Sequence, residues 1–309
     1  MCSLQKLTPP PVSQNGVVFF RNQDINIEEQ KLLGQRLGDL TGKPTTSKLH
    51  RHALVNSKRG VAVDDNGKLD DEVTVISAEE LRKYYGDRYA PGHISKRIAS
   101  AGWHSDITFE NIPSDYAILK IIKPPVSGAG GDTLWASGYE AYDRMSPAMQ
   151  KFAESLTATH YQANFNNKLQ RLDSNIELLD HDRGSPENRG LDFKASHPVV
   201  RTNPVTGWKS LFAVGYQLDE SGWIDDVTEA ESNALKAYFR RLVVENHDLQ
   251  VRFRWGENDV AIWDNRSVFH TATNDYTGPR QGNRVVSIGE KPYFDPASKS
   301  RREALGLLE

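Results

Sequence analysis

The stretch Trp103-His104-Ser105-Asp106 places an imidazole and a carboxylate two residues apart. On a β-strand such side chains point to the same face, so His104 and Asp106 would converge on one point. That geometry suits a divalent metal. The pattern alone is weak, because a chain with 9 His and 41 acidic residues in 309 contains about one His-x-Asp/Glu by chance. A metal site therefore needs a further ligand from elsewhere in the chain.

A second stretch, near the other end of the chain, supplies that ligand. Trp263-Asp264-Asn265-Arg266-Ser267-Val268-Phe269-His270 begins as an apolar strand and ends in a histidine. Two histidines and one carboxylate form the facial triad of non-haem iron oxygenases, which leaves the remaining coordination positions free for a 2-oxo acid and for O2. His104, Asp106 and His270 therefore predict a site for Fe(II), with 2-oxoglutarate and O2 as cosubstrates.

Two arginines that follow His270 fit the cosubstrate. The distal carboxylate of 2-oxoglutarate needs a permanently charged, bidentate donor inside a poorly solvated barrel, and Arg280 or Arg284 would supply it. Thr133, in the segment Gly130-Gly131-Asp132-Thr133, offers a hydroxyl to the same carboxylate. The residues alone leave open which arginine takes this role.

The rest of the chain has the pattern of a mainly β protein with flanking helices. Runs of β-branched and aromatic residues predict strands, and Thr206-Gly207 predicts a hairpin turn. The predicted strands are Val17 to Phe20, Tyr116 to Ile122, the Thr133 region, Pro198 to Thr202, Ser210 to Val214, Val251 to Trp255, Val260 to Trp263 and Val285 to Ile288. The predicted helix starts are Asn26 with Glu29, Ser77 with Glu80, Ser146-Pro147, and Thr228 with Glu231.

Two polar stretches are expected to lie outside the sheets. Residues 56–72 are rich in Lys, Asp, Asn and Gly and are expected to form a solvated loop rather than a carboxylate metal site. Residues 161–196 show almost no periodic apolar pattern, and a long irregular insertion of this kind is typical of a lid. We therefore expect one domain over residues 1–309 with a lid insertion within residues 161–196.

Composition excludes several classes of function. A formal net charge of -3 gives no electrostatic footprint for nucleic acid or for an anionic membrane. The single cysteine, Cys2, excludes an internal disulfide, a four-cysteine zinc site and an iron–sulfur cluster. No apolar run approaches the roughly 18 residues that span a bilayer. We expect a cytoplasmic protein that acts on small molecules; whether it forms a homo-oligomer stays open.

Several blocks together resemble the taurine dioxygenase family of the TauD/TfdA type, which includes alkylsulfatase and 2,4-dichlorophenoxyacetate dioxygenases. The resemblance covers nearly the whole chain, in the right order. The blocks are Val18-Phe19-Phe20-Arg21-Asn22-Gln23, Leu49-His50-Arg51-His52, WHSDITF from Trp103, GGDTLWAS from Gly130, HPVVRTNPVTG from His197, NDVAIWDNRSVFH from Asn258, and finally Arg280 and Arg284.

The resemblance implies a double-stranded β-helix, that is a jelly-roll or cupin-like barrel, with iron at its open end. It implies that His104, Asp106 and His270 are the iron ligands. Thr133 and Arg280 would contact the tail of 2-oxoglutarate, while Arg284 would contact an acidic group of the substrate. His52 matches a family histidine that binds a sulfonate. The two arginines lie close together in sequence, so their roles could be exchanged.

The family implies an enzyme that oxidises a small anionic organic substrate and releases succinate and CO2. A sulfonate, a sulfate ester, or a carboxylate such as an amino acid is the expected substrate class. The same oxidant could instead carry out desaturation or ring closure in a biosynthetic pathway. Two remoter alternatives are a zinc-dependent hydrolase that uses the same triad and a non-catalytic jelly-roll binding protein. Neither alternative explains both the triad and the paired arginines.

Overall fold

A computed structural model describes residues 11–55, 61–63, 69–77, 99–125, 130–163, 165, 177–178, 180–276 and 278–307. The strands are β1 Val17–Phe20, β2 Leu54–Val55, β3 Val61–Val63, β4 Leu69–Ser77, β5 Ser114–Lys123, β6 Thr133–Ser137, β7 Thr157–Tyr161, β8 Glu177–Leu178, β9 Lys194–Pro198, β10 Val200–Thr202, β11 Lys209–Leu211, β12 Trp223–Ile224, β13 Gln250–Phe253, β14 Val260–Asp264, β15 Val268–Ala272 and β16 Gln281–Ile288. The helices are α1 Pro11–Asn15, α2 Ile27–Leu40, α3 Gly138–Asp143, α4 Pro147–Ala153, α5 Tyr216–Asp219, α6 Glu229–Val244 and α7 Arg301–Ala304.

Two antiparallel sheets build the jelly-roll barrel. One sheet has six strands in the order β1-β14-β5-β16-β4-β3, and the other has three in the order β13-β6-β15. Their inner faces meet in a core where Trp135 of β6 packs edge-on against Trp263 of β14, with ring centroids 5.8 Å apart. The mainly β architecture with flanking helices is therefore confirmed. Among the described residues, no helix is both long and apolar enough to cross a bilayer.

The period of two along each strand decides which side chains enter the barrel. On β15, Val268 joins the inner core while Phe269 joins the outer core beneath α6, which returns His270 to the inside. On β16, Val286 faces the same inner core and Val285 faces outward, so Arg284 is also turned inward. The alternation thus turns His270 and Arg284 toward the inside of the barrel from two different sheets.

Local sequence signals specify the helix starts well. Capping boxes are present at Asn26, which begins α2, and at Thr228, which begins α6. Ser146 caps α4, with Pro147 at its first position. These three predictions are confirmed, as is the pairing of β10 with β11 around Thr206-Gly207. The predicted helix start at Ser77 with Glu80 runs into residues 78–98, which lie outside the described residues.

The prediction of a solvated loop at residues 56–72 was wrong for a substantial part of that segment. Val61–Val63 and Leu69–Ser77 form β3 and β4 at the edge of the six-stranded sheet, where β4 pairs with β16. The charges of β4 have partners in other segments, since Asp70 pairs with Lys31 of α2 and Asp71 pairs with Arg51. β4 itself lies between β16 and the edge strand β3.

Candidate metal centre

His104 and His270 face each other across a backbone bridge. The amide of His104 donates to the carbonyl of His270 at 3.0 Å, and the amide of His270 donates to the carbonyl of His104 at 2.8 Å. Residues paired in this way carry their side chains on the same face. The two imidazoles therefore lie together, with ring centroids 4.3 Å apart. The stretch around His104 thus extends the β13-β6-β15 sheet by a single antiparallel bridge.

Asp106 completes the group predicted from the sequence. Its Oδ1 lies 3.9 Å from Nε2 of His104 and 3.9 Å from Nε2 of His270. The intervening Ser105 points away and donates to the carbonyl of Val268 at 2.7 Å. One ligand atom from each of the three residues lies within 4.8 Å of the others. The structure therefore brings His104, Asp106 and His270 together.

Protonation of the three groups favours metal binding. Burial lowers the pKa of His270 to about 3, and proximity to His104 adds to this effect. Burial also lowers the pKa of His104, although Asp106 opposes the shift. Both imidazoles are therefore neutral at neutral pH, which is the form that binds metals. Burial opposes ionisation of Asp106, but Arg284 and the two histidines outweigh it and lower its pKa.

The chemistry of the donors fits a divalent transition metal such as iron. Nδ1 of His104 donates to the carbonyl of Gly102 at 2.9 Å, which leaves Nε2 deprotonated and turned toward Asp106. Oδ2 of Asp106 and Nδ1 of His270 are buried without a hydrogen-bond partner among the described residues. Two neutral imidazoles and an ionised carboxylate match the ligand set of non-haem iron sites, and one oxygen of this carboxylate has no described hydrogen-bond partner.

Arg284 lies beside the metal centre. Its Nη1 donates to Oδ1 of Asp106 at 2.6 Å, and its side chain is 17% exposed. A guanidinium has more donors than this single bond uses, and it stays charged in the pH range of proteins. The structure thus shows Arg284 as a partner of Asp106, and its contact with an acidic group of the substrate stays a prediction.

Arg280 lies in a different environment, buried at 4% exposure. Its Nε donates to the carbonyl of Gly131 at 3.1 Å, and no described carboxylate forms an ion pair with it. Asp132, the nearest acid in sequence to Gly131, pairs with Arg252 instead, at 2.7 Å. A Cβ on Gly131 would lie 3.2 Å from the Cδ of Arg280 and 2.7 Å from the Cγ of Pro125, so glycine leaves room for both side chains. Burial lowers the pKa of Arg280.

Thr133 begins the strand that follows Gly131 and is 4% exposed. Nε1 of Trp255 donates to its hydroxyl oxygen at 3.0 Å. Because indole nitrogen is only a donor, this bond occupies an acceptor site of the hydroxyl and leaves its own proton free for another acceptor. Arg280 binds the carbonyl of Gly131, two residues before Thr133 in the chain, and their contact with one carboxylate of 2-oxoglutarate stays a prediction.

His50 and His52 lie two residues apart but differ in burial and in neighbours. His52 is half-buried, and its ring lies 5.9 Å from that of Phe165. His50 is buried, and its Nε2 lies 3.9 Å from Oε1 of Glu110. His50 is also among the groups whose charge lowers the pKa of Asp106. The His52 ring lies 6.2 Å from the ring of His50, and the substrate role of His52 stays a prediction.

Part of the predicted lid segment is tied to the metal-bearing loop. Arg183 is buried and binds both carboxylate oxygens of Glu110, at 2.6 and 2.8 Å. Asn188 exchanges two hydrogen bonds with the backbone of Ile112. Residues 164, 166–176 and 179 lie outside the described residues, so the lid itself stays a prediction.

Two supporting residues were not identified from the sequence. Oδ1 of Asn265 accepts the amide of Asp106 at 3.2 Å and the indole N–H of Trp263 at 3.0 Å, which fixes the backbone beside the ligand. His197 donates from Nε2 to two carbonyls of the same loop. A signal existed for Asn265, since it is a polar residue at the end of an apolar run. Its partner, however, depends on tertiary contacts that no local pattern encodes.

Comparisons with known proteins identify the family of the chain. The sequence profile of the taurine catabolism dioxygenase TauD, TfdA family matches residues 12–286. The alpha-ketoglutarate-dependent dioxygenase btcD of Neocamarosporium betae is 48% identical over 302 residues, which cover 95% of this chain and 84% of that protein. The alpha-ketoglutarate-dependent sulfonate dioxygenase of Saccharomyces cerevisiae is 30% identical over 289 residues, or 92% of this chain and 60% of that protein.

A solved structure shows the same fold. A taurine dioxygenase from Burkholderia xenovorans superposes with a TM-score of 0.63 at 25% identity, covering 95% of this chain and 85% of that one. The family match over most of the sequence, the named relatives and the barrel with its His-Asp-His group agree with one another. The chain therefore belongs to the TauD/TfdA family and is a 2-oxoglutarate-dependent dioxygenase.

Proposed function

We propose that this dioxygenase holds Fe(II) on His104, Asp106 and His270 and oxidises a small organic monoanion, a sulfonate, with release of succinate and CO2. The observation that carries the proposal is the contrast between the partners of Arg284 and those of Arg280. Arg284 contacts the metal-ligating carboxylate, and Arg280 is buried with no acidic partner among the described residues.

Iron bound here would supply the oxidising chemistry by activating O2 at positions that the three protein ligands leave free. The protein's own contribution is to place and orient. Arg280 provides a fixed positive charge for the distal carboxylate of 2-oxoglutarate, in a buried setting where charge-assisted bonds are strong. Thr133 can donate its hydroxyl proton to the same carboxylate, because Trp255 already occupies an acceptor site of that hydroxyl.

The charge balance of the site supports an anionic substrate. The divalent ion and the two arginines bring more positive charge than Asp106 and the dianionic 2-oxoglutarate together can neutralise. The surplus is one positive charge, which matches one monoanion. Arg284 is the cation nearest the metal ligands, at 2.6 Å from Asp106, and its guanidinium has donors to spare. His52 is the second proposed contact of this anion.

Sulfonates come first among the candidate substrates for two reasons. A sulfonate is a permanent monoanion with several acceptor oxygens, which suits a guanidinium assisted by an imidazole. The Saccharomyces cerevisiae relative is named a sulfonate dioxygenase. Sulfate esters and small carboxylates share the charge but differ in shape. We propose hydroxylation of the substrate carbon as the outcome; desaturation or ring closure would use the same residues.

A substrate screen tests the proposal. Purified enzyme with Fe(II), ascorbate and 2-oxoglutarate should release succinate in the presence of some members of a panel of sulfonates, sulfate esters, and amino or aryloxy acids. A matched panel of neutral alcohols and amides of similar size serves as the control. Succinate release that responds to neutral compounds as well as to anions would reject the anionic assignment, and product mass would separate hydroxylation from desaturation or ring closure.

A further inference from the structure

A strained turn follows the proposed iron ligand Asp106 directly. Ile107 has a φ of 48°, in the left-handed region. For a β-branched residue this conformation is a genuine outlier, and such outliers persist only where the surrounding structure enforces them. Ile107 is 7% exposed, and the turn closes with a hydrogen bond from the amide of Glu110 to the carbonyl of Ile107 at 3.1 Å.

We propose that His197 is a positioning residue for Asp106, and that it acts by holding the Ile107–Glu110 turn. Nε2 of His197 donates to the carbonyl of Thr108 at 2.9 Å and to the carbonyl of Glu110 at 3.1 Å. A single N–H therefore ties together two backbone carbonyls of the turn. The proposal rests on the proposed function, in which Asp106 is an iron ligand.

His197 is well suited to hold backbone. It is 2% exposed and lies on β9, which pairs with β7 over five residues, so its own position is fixed by a sheet. Burial and the nearby Arg201 lower the pKa of His197 to about 4. The ring is therefore neutral at neutral pH, with its proton on the nitrogen that faces the two carbonyls. It can hold the turn without placing a charge in the interior.

Asp106 lies between two fixed points, and one of them is this turn. On its N-terminal side, the His104–His270 bridge and the bond from the amide of Asp106 to Asn265 hold the backbone. On its C-terminal side, the direction of the chain is set by the strained conformation of Ile107. If the turn relaxed to an ordinary φ, the plane of the peptide after Asp106 would rotate, and the carboxylate would lose its fixed direction.

A neighbouring histidine offers a matched comparison. His160, on β7, is 0% exposed, and its ring centroid lies 5.5 Å from that of His197. Both rings pack against Phe212, at 5.7 and 5.8 Å. His160 contacts the same turn, but through the hydroxyl of Thr108, at 2.9 Å from its Nδ1. The two histidines thus share burial and neighbours, while only His197 holds the backbone of the turn.

The test compares His197→Phe with His160→Phe, two substitutions that fill similar space and remove a ring N–H. Anaerobic titration with Co(II) can be followed by quenching of tryptophan fluorescence, because the ring of Trp263 lies 5.0 Å from that of His270. We expect His197→Phe to weaken Co(II) binding about ten- to hundredfold, as for other residues that orient metal ligands. His160→Phe should stay within about threefold of the wild type.

A second measurement uses the wild-type protein and does not depend on the variants folding. If an ordered turn favours metal binding, metal binding must favour an ordered turn by linkage. Saturating Co(II) should therefore slow hydrogen exchange at the amide of Glu110 by about tenfold. Unchanged exchange at this amide, or equal losses of Co(II) affinity in the two Phe variants, would overturn the role of His197.

Asp106→Ala separates this inference from the proposed function. If Asp106→Ala loses Co(II) binding while His197→Phe keeps the wild-type affinity, the assignment of the ligands stands and the role of His197 falls. If Asp106→Ala binds Co(II) like the wild type, the ligand assignment itself is wrong.

Discussion

Arg284 lies 2.6 Å from a carboxylate oxygen of Asp106, whereas the nearby Arg280 is buried against the carbonyl of Gly131 without a described acidic partner. Asp106 thus balances part of the charge of Arg284, whereas no described carboxylate balances the charge of Arg280. A buried charge without a partner is costly. In the proposed function, this cost is offset when the distal carboxylate of 2-oxoglutarate binds Arg280. The difference supports the proposal that the two arginines bind different anions.

Removing the carboxylate of the metal centre should have the largest effect. Asp106→Ala takes away the single anionic ligand and leaves Arg284 without its partner. We expect succinate formation to fall below detection, with the far-UV circular dichroism unchanged. Asp248→Ala is the control, because Asp248 forms an exposed ion pair with Arg144 and should leave activity at the wild-type level. Near-normal turnover by Asp106→Ala would break the assignment of the metal centre.

The next largest effect should come from replacing Arg280. Arg280→Ala removes the charged partner of the distal carboxylate of 2-oxoglutarate, which costs on the order of 2–4 kcal/mol, or roughly 30- to 1000-fold in affinity. The KM for 2-oxoglutarate should rise accordingly in steady-state succinate assays. Arg252→Ala is a matched control, since Arg252 pairs with Asp132 beside the same turn and is 54% exposed. An unchanged KM for 2-oxoglutarate in Arg280→Ala would mean that Arg280 does not bind its distal carboxylate.

Arg284 should affect the primary substrate rather than the cosubstrate. In Arg284→Ala, the KM for an acidic substrate should rise, and more succinate should form without substrate oxidation. The KM for 2-oxoglutarate should stay within about threefold of the wild-type value. Arg284→Lys keeps the charge but loses the planar donor pair, so it should recover part of the loss. If the phenotypes of Arg280→Ala and Arg284→Ala are reversed, the two arginines exchange roles.

The pH dependence of stability should be a smaller effect, and it should come from the metal centre. The imidazoles of the metal centre titrate, whereas the guanidinium of Arg280 stays charged. The pKa of His270 falls from 6.5 to about 3 on folding, so the unfolded chain binds more protons below pH 6.5. The contribution of His270 to the free energy of unfolding is therefore fully present above pH 6.5 and is lost as the pH falls toward 3. Between pH 7.5 and pH 5 the contribution of His270 is about 2 kcal/mol.

Urea unfolding in EDTA measures this contribution. The wild type should lose about 2 kcal/mol more than His270→Gln between the two pH values, because glutamine does not titrate. Arg280→Ala should show the same pH dependence as the wild type. Equal losses for the wild type and His270→Gln would mean that His270 is not buried in its neutral form.

The sequence predicted the features that depend on local pattern. The helix starts at Asn26 and Thr228 follow from capping boxes, which involve residues only three apart. The strand carrying His270 follows from an apolar run and its alternation. The grouping of the two histidines with Asp106 came from spacing together with several ordered blocks, none of which would have been sufficient alone.

The features that the sequence did not predict depend on distant contacts. The charges of β4 pointed to a loop because their partners, Lys31 and Arg51, belong to other segments. His197 holds carbonyls of residues far away in the chain, and a carbonyl has no sequence signature. The roles of the two arginines stayed open for the same reason, because only the structure shows that Arg284, and not Arg280, contacts Asp106.

An anaerobic titration of the protein with Fe(II) and 2-oxoglutarate, followed by visible absorption, tests whether both bind at the His104–Asp106–His270 group. We expect a weak charge-transfer band that requires both components, that is absent when Zn(II) replaces Fe(II), and that needs roughly 30- to 1000-fold more 2-oxoglutarate in Arg280→Ala. Absence of the band in the wild type with both components bound would contradict the proposal that 2-oxoglutarate binds at an iron held by His104, Asp106 and His270.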